Sequence, residues 1–251
     1  MDRITSRKNT VITHLRALGA ESAYRAASGE YLCDGYKLLD EAVKSGAAIT
    51  SILWKEGGAR AEIACDRQYS APPELFDYAS PMKNSPGPLF SVRRGVWGTS
   101  DPVRSAIVLE NVQDPGNVGT VLRTASAFSV DAVVLVGDCA DCFSPKTVRA
   151  TMGAIFRQRV LTLSHEELAP WLKEQGLKLY GAALSERATD VRKVNITHSA
   201  IAVGSEGHGL SRELLALCDG EIIIPMDARS ESLNAAVAAS VLMWEMARKN
   251  T

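Results

Sequence analysis

The sequence predicts an α/β fold in two domains, a smaller one over residues 1–100 and a larger one with a parallel sheet over residues 101–251. From Ala106 onward, short apolar segments alternate with helical patterns. Uniformly apolar strands in such an alternation are typical of a parallel sheet covered on both faces. The stretch 81–102, PMKNSPGPLFSVRRGVWGTSDP, is rich in proline and glycine. This density predicts a linker near residue 100.

The composition is that of an ordinary globular protein. The chain has 251 residues, of which 46% are hydrophobic and 23% charged, and it is long enough to bury a core without staples. No apolar segment reaches the roughly 18 residues of a membrane span, and the N-terminus lacks the apolar core of a secretory signal. We therefore expect a cytoplasmic protein with no membrane contact. Five scattered cysteines indicate reduced thiols.

The pair Cys139-x-x-Cys142 could suggest a metal or redox site. A structural zinc ion needs four ligands, and the sequence has no second pair at the required spacing. We therefore expect no metal.

Charge is distributed unevenly along the chain. The net charge is −1, but residues 1–100 hold 13 Lys and Arg against 11 Asp and Glu, whereas residues 101–251 hold 15 against 18. The first 16 residues alone carry Arg3, Arg7, Lys8 and Arg16 against Asp2. The basic excess thus lies in the front domain, where it fits either nucleic-acid contact or a solvated face.

The front domain alternates between helical and extended patterns. Helices are predicted over residues 10–18, 35–44 and 73–78, with a strand over 49–54 and a short strand at LFSVRR. The first helix has Val11, Leu15 and Leu18 on one face. The second ends at Gly46. Its inward face is predicted to consist of Leu38, Leu39, Ala42 and Val43.

The back domain alternates more regularly. Strands are predicted over residues 106–109, 132–136, 177–183, 200–203 and 221–224, and helices over 118–128, 144–152, 164–176, 211–217 and 235–247. Ser144 precedes a proline at the first helical position, and Ser164 opens a capping box with Glu167. Pro170 conflicts with the helix that contains it and predicts a kink there.

The loop ENVQDPGNVG, residues 110–119, joins the first back-domain strand to a helix. Asn117 is predicted to cap that helix, and Arg123 lies off its apolar stripe. One interpretation is that the loop simply leads into a capped helix whose arginine is solvated. It can also be an anion site, because a helix N-terminus and a guanidinium both favour phosphate.

Two further loops follow apolar strands. VGSEGHGL, residues 203–210, holds three glycines that let the backbone approach a ligand, at a spacing unlike the dinucleotide fingerprint. Glu206 lies between two of them, and His208 fits a surface residue better than a general base. Ser232 and Asn234 stand at the mouth of the last helix, where α/β proteins place ligand chemistry. Ser232 could equally be the helix cap.

Three segments together resemble motifs one, two and three of the SpoU branch of the SPOUT superfamily of RNA methyltransferases. They are ENVQDPGNVGTVLRTA, AVGSEGHGLS and IPMDARSESLNAAVAAS, and SPKTVRATMGAIFR resembles the segment between motifs one and two. The resemblance covers nearly all of residues 104–248. GEYLCDGYKLLDEAVKSGAAITSILW resembles the substrate-binding domain of many members, which is similar to a ribosomal-protein RNA-binding fold. The chain departs from the family with Ala228 for glycine and Ala235-Ala236 for Val-Ser.

The resemblance implies a trefoil-knot domain that transfers a methyl group from S-adenosyl-L-methionine to a ribose 2′-hydroxyl of RNA, with ribosomal RNA favoured. The catalytic residues it implies are Asn117, Arg123, Glu206, Ser232 and Asn234. The cofactor-binding residues it implies are Ala183, Leu184, Gly204, Ile224, Met226 and Leu233. In the family the arginine is proposed to bind phosphate and assist deprotonation. A guanidinium normally stays protonated, which favours a phosphate clamp at Arg123.

The last helix is apolar on more than one face, as a buried helix or a dimer seam would be. The resemblance implies a homodimer with the site completed across the interface. Alternative functions are a transfer RNA 2′-O-methyltransferase, a methyltransferase of the same fold acting on a base, and a non-catalytic RNA-binding or ribosome-assembly protein.

Overall fold

The computed structural model describes residues 1–65, 67–227 and 232–249. Ala228 lies outside them. The chain divides into two compact units. The first comprises Met1–Val96 and Asp141–Phe156, and the second comprises Trp97–Ala140 with the described residues from Arg157 onward. The division thus falls at residue 96 rather than 100. In addition, the segment 141–156, predicted as part of the second domain, groups with the first unit.

The first unit contains a mixed sheet with the strand order β1-β4-β3-β5-β2. Its elements before residue 97 are β1 (Asp2–Arg3), α1 (Thr10–Ala20), α2 (Ser22–Ser28), β2 (Glu30–Asp34), α3 (Tyr36–Lys44), β3 (Ile49–Lys55), β4 (Gln68–Ala71), α4 (Pro73–Ala79) and β5 (Leu89–Arg93). Strands β1, β4 and β3 are parallel, and β5 is antiparallel to β3 and β2. The core joins Leu15 of α1 to Leu53 of β3 and Phe76 of α4.

Local pattern predicted α1, α3, α4, β3 and β5, and these elements are confirmed. It did not predict β1, α2, β2 or β4. The inward position of Val43 was wrong, because its side chain is 50% exposed. Val43 lies just past the buried face of α3 formed by Leu38, Leu39 and Ala42.

The elements from residue 97 onward are β6 (Ala106–Glu110), α5 (Pro115–Ala127), β7 (Ala132–Val136), α6 (Pro145–Ala150), β8 (Arg159–Leu163), α7 (His165–Gln175), β9 (Lys178–Ala182), β10 (Thr189–Asp190), β11 (Ser199–Val203), α8 (Arg212–Leu217), β12 (Gly220–Ile223) and α9 (Ala235–Lys249). All belong to the second unit except α6. The predicted caps Ser144 and Ser164 are confirmed, and Ser211 is the N-cap of α8. Strands β8 and β10 were not predicted, and Pro170 lies inside α7 without ending it.

The second unit is built on a parallel sheet with the strand order β10-β12-β9-β11-β6-β7-β8. All its strand pairs are parallel, which confirms the predicted fold class. Strands β6, β7 and β11 are buried along their whole length. On one face Trp171 of α7 and Leu214 of α8 pack against Val108 and Val134. Helices α5 and α9 pack against each other and against β7 and β11 respectively.

Strand order determines where loops of the second unit can meet. The chain runs from β6 outward through β7 to β8 and then crosses to the other side of β6, where it forms β9; β11 is added later, between β9 and β6. Ligands of such sheets bind at the carboxyl ends of the strands, where the order reverses. The loops after β6, β11, β9 and β12 all leave the sheet at that edge. Among the described helices, none has the length and apolar composition needed to cross a bilayer.

An ion pair fixes the segment 141–156 within the first unit. The guanidinium of Arg25 is buried and donates from Nε at 2.9 Å and from Nη2 at 2.6 Å to Asp141 Oδ2. Ser22 Oγ donates to the same oxygen at 2.9 Å. Burial disfavours the charged carboxylate, but these hydrogen bonds outweigh burial and hold the pKa of Asp141 below its usual value.

Replacing Arg25 with methionine is expected to destabilise the chain by about 3 kcal/mol near neutral pH, because it leaves a partly buried carboxylate without its cation. A depressed folded pKa contributes stability above the unfolded pKa of about 3.9, and that stability is lost as the pH falls through the folded pKa. The difference between wild type and Arg25→Met should therefore shrink below that pH. Urea unfolding at pH 7 and pH 3 measures it. An equal difference at both values would contradict the ion pair.

Candidate active site

Helix α5 begins at Pro115, within the first predicted loop and two residues before Asn117. Asp114 is the N-cap, and its Oδ1 accepts a hydrogen bond from the backbone N of Asn117 at 2.9 Å. The prediction that Asn117 caps this helix was therefore wrong. Asp114 precedes a proline, which suits the first helical position. The side chain of Asn117 is left available for other contacts.

The glycine-rich loop after β11 folds tightly on itself. The backbone N of Gly209 donates to the carbonyl O of Ser205 at 2.9 Å, and the two residues form an isolated antiparallel bridge. A Cβ on Gly204 would lie 2.1 Å from the carbonyl C of Gly209 and 2.5 Å from the N of Leu210. Position 204 therefore requires glycine, and the tight turn projects Glu206 outward.

The third loop ends at Asn234, which caps α9. Its Oδ1 accepts from the backbone N of Ala236 at 3.0 Å and from that of Val237 at 3.2 Å. The alternative that Ser232 caps this helix was wrong. Capping also fixes the orientation of the amide, because Oδ1 is held by the helix and Nδ2 must point away from it.

Three predicted residues from the three loops form one hydrogen-bonded cluster. Glu206 Oε1 accepts from Asn117 Nδ2 at 2.9 Å, and it also accepts from Asn234 Nδ2. Asn234 Nδ2 lies 3.1 Å from Asn117 Oδ1. We call Asn117, Glu206 and Asn234 the polar triad. The carboxylate fixes both amides, because each amide donates to it.

Arg123 lies apart from the polar triad. It is on the exposed side of α5, almost two turns from Asn117. Within the described residues it forms no hydrogen bond or ion pair. Its guanidinium therefore faces solvent and is available to an anion.

A cavity of about 450 Å³ opens beside the polar triad, and we call it the first cavity. All six predicted cofactor residues line it, as do Glu206 and Ser232. The six are Ala183, Leu184, Gly204, Ile224, Met226 and Leu233. Its walls come from the loops after β9, β11 and β12 and are mostly apolar.

Sequence reasoning missed polar groups on the wall of the first cavity. Glu221 lines it, and Ser185 Oγ donates a hydrogen bond to Glu221 Oε2. Arg187 also lines the cavity, with Nη2 at 3.7 Å from Glu221 Oε1. The sequence signal for these polar groups was Glu221, an acidic residue at the start of the predicted apolar strand 221–224.

Glu110 is a second feature that sequence reasoning missed. It ends β6 and is fully buried. Its Oε1 accepts from Ser211 Oγ at 2.6 Å and lies 2.7 Å from His165 Nε2, and its Oε2 accepts from Ser211 N at 2.7 Å. Glu110 thereby ties the start of the first loop to the end of the glycine-rich loop. A charged residue at the end of an otherwise apolar strand was the available signal.

The thiols near this edge of the sheet are neutral. Burial raises the pKa of Cys218 to about 12, with further contributions from the carboxylates of Glu221 and Asp219. Burial also raises the pKa of Cys139. Neither group is the thiolate that nucleophilic catalysis by cysteine needs. The described residues contain no group of three or more His, Cys, Asp or Glu that could hold a metal ion.

The arrangement can bind an organic ligand in a largely apolar cavity and hold two amides in fixed orientation at its rim. A comparison of the sequence with known families finds a match over residues 104–244 to the family described as "SpoU rRNA Methylase family". The chain belongs to this family. The family resemblance predicted from the three motifs is thereby confirmed.

Relatives match the chain over almost its whole length. It is 31% identical to the 23S rRNA (guanosine(2553)-2'-O)-methyltransferase RlmP of Bacillus subtilis, over 98% of this chain and 99% of that protein. The AdoMet-bound rRNA methyltransferase structure from Sinorhizobium meliloti is 25% identical, with a TM-score of 0.85 over 98% of this chain and 97% of that one. The SpoU methyltransferase AviRb from Streptomyces viridochromogenes is 26% identical, with a TM-score of 0.84 over 96% and 97%.

Proposed function

We propose that this chain is an RNA 2′-O-methyltransferase that transfers the methyl group of S-adenosyl-L-methionine to a ribose hydroxyl of ribosomal RNA. The polar triad at the rim of the first cavity carries the proposal. Family membership and the relative that acts on 23S ribosomal RNA support both the reaction and the substrate class.

The first cavity suits S-adenosyl-L-methionine. Leu184, Ile224 and Leu233 offer apolar walls for an adenine, and the carboxylates of Glu206 and Glu221 complement a cationic ligand. When bound, the cofactor supplies a methyl group already activated on its sulfonium. Gly204 and its neighbours bring main-chain groups to the cavity wall, which fits a cofactor held largely by backbone.

The chain's own contribution is alignment. A ribose hydroxyl is weakly acidic and gains little from covalent help, whereas positioning can be worth about 7–11 kcal/mol in favourable cases. Glu206 holds the amides of Asn117 and Asn234 in one orientation. These amides would orient the hydroxyl beside the first cavity, with Ser232 on the cavity wall.

Arg123 is proposed to clamp an RNA phosphate. A guanidinium can bind phosphate in a bidentate manner. Its exposure on α5 and its freedom from carboxylate partners among the described residues support this role. A clamped phosphate would fix the position of the ribose relative to the polar triad.

A homodimer is proposed from the outer face of α9. Val237, Val241 and Trp244 recur at helical spacing and are 49%, 37% and 56% exposed. This apolar stripe is continuous with α5, because the rings of Phe128 and Trp244 lie 5.6 Å apart. Exposed apolar stripes mark interaction surfaces. The family resemblance implies that a second copy covering this stripe would complete the site across the interface.

The substitution Trp244→Asp is expected to convert a dimer to a monomer, because it places a charge in the apolar stripe. Sedimentation velocity at several concentrations measures this. Lys37→Asp, an exposed change in the first turn of α3, should leave the dimer intact. A wild type that remains monomeric at all concentrations would overturn the dimer.

We further propose that the C-terminal part of the second unit forms a trefoil knot. Insertion of β11 between β9 and β6 and the packing of α9 on α5 support it. We also propose the cytoplasm as the site of action, because the chain resembles a 23S rRNA methyltransferase of a bacterium.

Methyl mapping tests the function. Ribosomal and transfer RNA from a deletion strain and its parent are compared for ribose methylation, and calorimetry measures S-adenosyl-L-methionine binding by the full chain. We expect a ribosomal RNA methylation that is lost on deletion and restored by the wild-type gene. Loss only in transfer RNA would favour the alternative substrate. No lost methylation and no cofactor binding would favour a non-catalytic RNA-binding protein.

A further inference from the structure

Glu110 is a buried acid at the end of β6 that the proposed mechanism does not use. It is fully buried and does not line the first cavity, so it contacts neither the cofactor nor the RNA. Its backbone is held in the sheet, where Glu110 pairs with Val136 of β7. The next backbone N, that of Asn111, donates to the carbonyl O of Val136 at 3.1 Å. Glu110 is therefore a rigid point at the edge of the sheet where the site lies.

The side chain of Glu110 holds the far end of the glycine-rich loop. Its Oε2 accepts from the backbone N of Ser211 at 2.7 Å, and its Oε1 accepts from Ser211 Oγ at 2.6 Å. Ser211 Oγ in turn accepts from the backbone N of Leu214 at 3.0 Å, so Ser211 is tied both to β6 and to α8. His165 Nε2, at the start of α7, lies 2.7 Å from Glu110 Oε1. These partners give the buried carboxyl group a single orientation.

The backbone of the glycine-rich loop connects Ser211 mechanically to Glu206. Gly209, two residues before Ser211, donates from its backbone N to the carbonyl O of Ser205 at 2.9 Å. Gly204 lies so close to Gly209 that a Cβ would be 2.1 Å from its carbonyl C. The loop from Ser205 to Ser211 is therefore expected to move as one unit, and a shift at Ser211 displaces Glu206.

We propose that Glu110 is a positioning residue for methyl transfer, which sets the distance between the first loop and the glycine-rich loop. The first loop leaves the sheet at Glu110 and carries Asn117, whereas the glycine-rich loop carries Glu206 and ends on the carboxyl oxygens of Glu110. The hydrogen bond between Asn117 and Glu206 forms only if the two loops keep this spacing. The inference rests on the proposed function.

Two substitutions separate the reach of the Glu110 side chain from its acidity. Glu110→Gln keeps the length, and its amide oxygen can still accept from the backbone N of Ser211. Glu110→Asp keeps the carboxyl group but is shorter by one carbon–carbon bond, about 1.5 Å. We expect kcat to fall by about 100-fold in Glu110→Asp, because a displacement of about 1 Å has that effect on rate. In Glu110→Gln it should fall by less than about fivefold.

The rates are measured on deproteinised ribosomal RNA from the deletion strain, with saturating labelled S-adenosyl-L-methionine. Saturation removes any contribution from weaker cofactor binding to the measured kcat. The KM for RNA should stay within about twofold in both variants, because neither touches the groups proposed to bind phosphate. A loss confined to kcat separates positioning from a general loss of RNA binding.

Asp131→Ala is the matched control at the opposite edge of the sheet. The carboxyl group of Asp131 accepts from the backbone N of Arg104 at 2.7 Å and from that of Ser105 at 3.1 Å, just before β6 begins. It thus ties down a backbone segment as Glu110 does, but far from the glycine-rich loop. Its removal should lower the unfolding temperature and leave kcat unchanged.

Hydrogen exchange of residues 204–211 gives a second readout that needs no RNA. We expect faster exchange in Glu110→Asp than in Glu110→Gln or the wild type. A larger fall of kcat in Glu110→Gln than in Glu110→Asp would assign the effect to charge and overturn the inference. Wild-type kcat in Glu110→Asp, or an equal fall in Asp131→Ala, would also overturn it.

Failure of the proposed function has a different signature. A wild type that transfers no methyl group to RNA would defeat that function itself. In that case unchanged hydrogen exchange of the loop in Glu110→Asp would separately overturn the role of Glu110, and faster exchange would support it.

Discussion

Replacing Arg123 with alanine is expected to abolish methylation of ribosomal RNA while leaving the affinity for S-adenosyl-L-methionine unchanged. Arg123 does not line the first cavity, so its loss removes no cofactor contact. It does remove the guanidinium proposed to hold the RNA phosphate. A misplaced acceptor costs about 100-fold in rate for each ångström or so of displacement. Labelled methyl transfer and calorimetry measure the two quantities separately.

Arg104→Ala is a matched control for Arg123. Arg104 is also an exposed arginine, but it precedes β6 and so lies at the amino edge of the sheet, away from the polar triad. Its removal should leave methylation intact. Arg123→Lys should recover part of the activity, because lysine keeps the charge but binds phosphate only as a point charge. Full activity of Arg123→Ala would remove Arg123 from the mechanism.

Replacing Gly204 with alanine is expected to weaken S-adenosyl-L-methionine binding by about 100-fold or more. The added Cβ would lie 2.1 Å from the carbonyl C and O of Gly209, and these backbone atoms cannot rotate away. The loop must open, which ends the bridge between Ser205 and Gly209. Overpacking of this kind costs about 3 kcal/mol, which corresponds to the stated loss of affinity if the opened loop is the binding surface.

Gly207→Ala is the matched control for Gly204→Ala, since it adds the same methyl group to the same loop in open space. Its cofactor affinity should equal that of wild type. Thermal unfolding of both variants shows whether the fold survives. A Gly204→Ala protein that binds the cofactor normally would show that this turn does not shape the first cavity.

The local sequence pattern was sufficient to predict most elements of the second unit and the helix starts at Ser144, Ser164 and Ser211. At each of these helix starts, the serine is the single candidate for the N-cap. Where two polar residues compete, as with Asp114 and Asn117, the pattern did not decide which one caps. Strands β2 and β4 were missed, because EYLCD and QYSA mix polar and apolar residues without alternation. Their burial arises from pairing with β5 and with β3.

The grouping of residues 141–156 with the first unit could not be predicted from the sequence either. It includes the ion pair of Arg25 and Asp141, which are 116 residues apart. An arginine and an aspartate at that separation are indistinguishable from surface residues until the chain brings them together. In the folded chain Arg25 is buried and Asp141 is partly buried, which distinguishes this ion pair from one between surface residues.

The sequence by itself determined the parallel sheet, the three polar loops and the family to which they belong, because each is written in a short local pattern. Only the tertiary structure decided that Asn117 and Asn234, 117 residues apart, share the carboxylate of Glu206. It also revealed that Glu110 is fully buried. The physical reason is that side chains from separate loops meet only when the strand order brings their strand ends to one edge of the sheet. No local propensity encodes that order.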